Sequence, residues 1–111
     1  MEVQEYRQGA VTVLRPTGAL VQEDADAFLR NIEGVIAKTL GRFVIDISAV
    51  PYVDSAGLEV LLDINDRLRS GGQALKLCAV NETIREVLEL TDIRTEFEHF
   101  DDVNSAVRSF L

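Results

Sequence analysis

The sequence predicts an α/β fold: one domain over residues 1–111, with a mixed, mostly parallel sheet of four to five strands and about four helices. Three observations carry this. After the opening residues, strand-like and helix-like segments alternate, which asks for crossover connections and parallel pairing. Two short runs, RFVIDI and ALKLCAV, are nearly continuous in apolar residues, as strands covered on both faces are. The 111 residues are 47% hydrophobic, enough for one core and hardly enough for two.

The elements follow in order. VQEYRQGAVTVLRPTG reads as two strands joined at a tight turn near Gln8 and Gly9, with Tyr6, Val11 and Val13 alternating against more polar neighbours. Pro16 marks the end of the second strand or a bend beside it. EDADAFLRNIEGVIAKTLG has Ala25, Phe28, Leu29, Ile32, Val35, Ile36 and Leu40 at helical spacing, with Gly41 as terminator. RFVIDI is the next strand. SAGLEVLLDINDRLRSGG is a helix that stops at Gly71-Gly72, and ALKLCAV is a buried strand. NETIREVLELTDI opens on Asn81, a favoured N-cap. EFEHF is a short strand and DDVNSAVRSFL a closing amphipathic helix.

The formal net charge of −8 repels nucleic acid and anionic membrane, so neither is an expected partner. A protein with a basic surface suits it better. The single cysteine, Cys78, cannot form an internal disulfide and falls in a predicted buried strand. The charged start MEVQEYRQG is unlike a secretory signal, and no apolar run approaches the roughly 20 residues of a membrane span. A soluble cytoplasmic chain is the expectation.

Few residues offer chemistry. His99 has no cysteine or second histidine to share a metal. The glycines match neither dinucleotide nor P-loop spacing. Asp46, at the end of a buried strand, lacks the acidic pair a magnesium-bound phosphoacceptor would need. No enzyme activity, cofactor or metal is therefore expected. What remains is VPYVDSAGLEVLL, where Asp54 and Ser55 stand at a helix start and one of them caps it. Ser55 as a nucleophile lacks the glycine of an elbow, because Val53 fills that place. Ala56 and Gly57 leave the serine hydroxyl open to a large visitor. Gly57, Val60, Leu61, Ile64 and Leu68 form one apolar stripe toward the sheet. Leu58 and Leu62 fall off its edge on the Ser55 side. They are either covered by a neighbouring helix or part of a docking ridge.

DISAVPYVDSAGLEVLL, Asp46 to Leu62, resembles the signature of STAS domains, in particular bacterial anti-sigma factor antagonists. GGQALKLCAVNETIREVLELTDI and FDDVNSAVRSF are similar to the following strand and helices of that family. The resemblance implies that the chain binds an anti-sigma factor that is also a serine kinase of the GHKL type. It implies release by phosphorylation at Ser55 and resetting by a PP2C-type phosphatase. Asp54, Ala56, Gly57, Leu58 and Leu62 would join Ser55 in partner binding. The second hydroxyl position of many members is Ala56 here. One departure is Gly18-Ala19-Leu20-Val21 where members often carry Gly-Glu-Leu-Asp; Glu23 or Asp24 stand a step along as substitutes. The other reading is a constitutive STAS module of another complex, such as a lipid-transport assembly, with Ser55 only a cap and contact.

Overall fold

In the computed structural model, which describes residues 1–111, β1 (Glu2–Gln8) and β2 (Val11–Thr17) form an antiparallel hairpin. The loop is Gly9-Ala10, with a positive φ only at Gly9, as a two-residue type II′ turn requires. Then follow α1 (Gln22–Thr39), β3 (Phe43–Asp46), α2 (Ser55–Arg69), β4 (Lys76–Cys78), α3 (Glu82–Leu90), a short 3₁₀ turn (Arg94–Glu96), β5 (Glu98–Phe100) and α4 (Val103–Arg108). The sheet order is β1-β2-β3-β4-β5, antiparallel at β1–β2 and parallel elsewhere. The expected element order, mixed sheet and four helices are thus present.

The faces of the sheet are filled unequally. Leu14, Phe43, Ile45 and Leu77 point to one face, where Phe28 and Ile32 of α1, Leu61 and Ile64 of α2, and Ile84 and Leu88 of α3 meet them. Val11, Val13, Val44 and Cys78 point to the other, where Val103, Ala106 and Val107 of α4 cover them together with Phe100 and Phe110. β2 and β3 lie between strands and under helices, so Val11 to Leu14 and Phe43 to Asp46 are buried without alternation. Burial pushes the Cys78 thiol up to about 12, with the charges of Asp46 and Asp102 adding to the effect.

Several local expectations are corrected. Tyr6 is exposed, because β1 is an edge strand and no helix covers its ring. Pro16 lies inside β2; it pairs only with Val3, beyond the Thr12–Leu14 ladder to β3, so its missing N–H breaks no parallel pairing. Leu40 is not part of the buried stripe of α1. It is the left-handed C-cap of α1 and stands exposed. The strand read as EFEHF keeps only Glu98–Phe100, because Glu96 closes the preceding turn. His99 lies in this edge strand, its Nε2 2.6 Å from the Arg94 carbonyl.

Asn65 lies inside the buried stripe of α2 and was not foreseen as core. Its Oδ1 accepts from the Leu75 amide at 2.8 Å, which ties α2 to the entrance of β4, while its Nδ2 has no partner. Asn65→Ala strands that buried amide, so it should cost about 1–3 kcal/mol, read as a lower urea midpoint. An unchanged midpoint would show that the bond contributes nothing.

Candidate functional site

The loops that leave β2 and β3 at their C-terminal ends lie side by side. The Gly18 amide donates to the Ala49 carbonyl, Leu20 to Tyr52, and Asp54 to Leu20, at 3.1, 3.1 and 3.2 Å. Leu20 and Val53 pair as an isolated parallel bridge. Two loops from different strands thereby form one platform, and α1 and α2 start from it.

Asp54 closes this platform. One carboxylate oxygen accepts from the Gly57 amide and the other from the Gln22 amide, both at 2.9 Å. The first bond caps α2. The second satisfies an amide in the first turn of α1, whose N-cap position, Val21, has no side-chain bond to offer. Asp54 thus supplies, from another loop, an acceptor for the first amide of α1, which a side chain at the N-cap itself does not serve. Glu23 and Asp24 do not take that place; the Asp24 carboxylate lies 3.5 Å from the Met1 amino group. The bonds from Gly57 and then Gln22 hold the Asp54 carboxyl below its ordinary value of 3.8.

Gly57 is buried against the same platform. A Cβ there would stand 2.3 Å from the Leu20 carbonyl oxygen. The glycine therefore has a packing reason within the chain, where the sequence reading attributed it to access for a visitor. Ala56 is half-buried beside it.

Ser55 is the first residue of α2. It is exposed, and the cap bonds belong to Asp54, so its hydroxyl is not engaged in holding the helix. Val60, Leu61, Ile64 and Leu68 are buried as the stripe predicts. Leu58 and Leu62 are half-buried: their inner edges pack on the core, and the rest remains at the surface. Tyr52 was not singled out from the sequence and is 53% exposed on the loop leading to Asp54. A large aromatic in a loop beside a helix start was the available signal. The surface around Ser55 thus combines a free hydroxyl, a fixed carboxylate, two leucine edges and an aromatic ring.

Asp46 is buried at the end of β3. Its carboxylate accepts from the Ser48 amide at 3.0 Å and lies 3.7 Å from Arg15, which accounts for it as a turn-forming group. Cys78 and His99 lie away from Ser55, on β4 and β5.

The model of the family described as STAS domain matches residues 2–106. A Bordetella bronchiseptica protein, "Putative anti-sigma factor antagonist BtrV", is 27% identical over 93 residues, which is 84% of this chain and 80% of that protein. A crystal structure of a "putative anti-sigma factor antagonist" from Thermotoga maritima superposes with a TM-score of 0.88 at 24% identity, covering 96% of this chain and 92% of that one. The Bacillus cell fate determinant SpoIIAA in its phosphorylated form gives a TM-score of 0.69 at 16% identity, with 97% and 99% covered. Both structures show the shared fold.

Two outcomes test the platform. Gly57→Ala gains up to roughly 1 kcal/mol of helix propensity but overpacks against a backbone carbonyl, for a net loss of about 1–3 kcal/mol in urea unfolding. A stabilised variant would contradict the contact. For Asp54 the sign follows from its lowered native value: its stabilisation is complete above 3.8 and is lost as pH falls through that lower value. The gap in urea midpoint between wild type and Asp54→Asn should stay constant above pH 3.8 and narrow below it. A gap that widens in acid would refute the assignment.

Proposed function

The chain belongs to the STAS domain family, and on that premise we propose that it is an anti-sigma factor antagonist working by partner switching. In this reading it acts in the cytoplasm and is not an enzyme. Unphosphorylated, it binds an anti-sigma factor that is also a GHKL-type serine kinase, and the sigma factor is released. The kinase then transfers the γ-phosphoryl group of ATP to Ser55 Oγ and the complex separates. A PP2C-type phosphatase hydrolyses the phosphoserine and resets the cycle.

The observation that carries this reading is Ser55: an exposed hydroxyl at the start of α2, on a platform that Asp54 holds rigid. A kinase needs a hydroxyl it can reach, and a serine engaged in capping would have to be pulled free first. The names of the relatives and the phosphorylated state of a protein with this fold agree with it.

The physics of release follows from the cap. Phosphate adds about −1.5 to −2 charges. Both oxygens of Asp54 already serve the two helix starts, so a phosphate on Ser55 lies outside that cap and beside its negative charge. The positive end of the α2 dipole lets the fold tolerate it. A desolvated interface does not. Tyr52, Leu58 and Leu62 would supply the apolar contact, with Tyr52 the residue most like an interface anchor.

The test uses Ser55→Ala and Ser55→Asp baits to capture the partner from the source lysate, then titration against that partner. Ser55→Ala should bind and resist ATP-dependent modification. Ser55→Asp should bind at least about a hundredfold more weakly, equivalent to roughly 2.7 kcal/mol. Phosphate mapped by mass spectrometry only to other residues would overturn the reading. Equal binding by both variants would favour the constitutive module, in which Ser55 is only a contact.

A further inference from the structure

A cleft of about 210 Å³ opens between α3 and the edge strand β5, at the C-terminal ends of the parallel strands. Leu88, wholly buried, contributes to its lining, and Arg85, Arg94, His99 and Asp101 bring charge and hydrogen-bonding groups to it.

The charge there runs against the rest of the molecule. The chain has 19 acidic and 11 basic residues, yet this cleft brings together two arginines, one histidine and one carboxylate. Arg85 forms no salt bridge. Arg94 reaches Glu89 only through Nε at 3.8 Å, which leaves its terminal nitrogens available. His99 Nε2 lies 2.6 Å from the Arg94 carbonyl. A carbonyl only accepts, so Nε2 donates, and Nδ1 of the neutral ring is then an acceptor that offers no bond to an anion. That bond also fixes the strand against the turn carrying Arg94.

We infer that this cleft binds one small oxyanion, a phosphate or carboxylate group held by the guanidinium groups of Arg85 and Arg94 beside the His99 ring. Two guanidinium forks suit such a group. Asp101 disfavours a polyanion, and the volume lies below the 300–1,000 Å³ of typical drug-sized ligand sites. The site therefore selects a ligand smaller than a nucleotide triphosphate. It makes no use of Ser55 and stands or falls separately from the switch.

The experiment is an NMR titration of the full chain with inorganic phosphate, acetate and ATP in turn. Saturable shifts at Arg94 and His99 with phosphate or acetate are expected, and the tighter of the two identifies the group preferred. Arg85→Ala and Arg94→Ala should each weaken that binding about tenfold, while Arg30→Ala, on the far helix α1, leaves it unchanged. All these side chains are exposed, so the fold should survive, as circular dichroism will check. Absence of saturable shifts, equal binding by the arginine variants, or ATP binding tighter than both small anions would overturn the inference.

Discussion

The carboxylate of Asp54 accepts from two amides that belong to different helices. Each helix start carries amides with no partner inside its own helix, and burying or ordering them without an acceptor is costly. One side chain answers both needs, and it can do so only if the two loops stay in register. The Leu20–Val53 bridge and the small volume of Gly57 keep them there. The position of Ser55 is therefore set by packing and hydrogen bonding among residues 18–22 and 49–57, not by the serine itself.

Much of this was legible in the sequence because it depends on local chemistry. The apolar spacing of α2 announces which side faces the sheet, and Val60, Leu61, Ile64 and Leu68 are buried accordingly. Asn81 reads as an N-cap and accepts from the Ile84 amide. The strands β3 and β4 read as doubly covered because charge is scarce in them. What stayed hidden depends on residues far apart in the chain. No local rule places Asp54 against Gln22, 32 positions earlier. Nor does periodicity tell Asn65 from an exposed polar residue, because its acceptor role is created by Leu75 arriving beside it. Leu40 misled for the opposite reason: it kept the helical spacing after the backbone had already turned left-handed.

The two ends of the charge distribution then make sense together. An acidic chain tends to repel other anions, so any place that gathers cations has to do so against the average. The cleft beside β5 is such a place, while the surface around Ser55 is the reverse, with a carboxylate fixed beside the hydroxyl. A basic partner would be drawn to the second and repelled by the first. Asn81 Nδ2 donates to the Val50 carbonyl at 3.0 Å, which ties the start of α3 to the loop that precedes α2.

Cys78 offers a last consequence, of a practical kind. The only thiol of the chain lies at the heart of the sheet, wholly buried, with its ionisation pushed up to about 12. Alkylating reagents attack the thiolate, which this residue hardly forms near neutrality. A cysteine introduced at Arg30 or any other open position would therefore be labelled alone, with no need to remove the native one. Fluorescent or spin probes can be attached to the molecule while its core remains untouched.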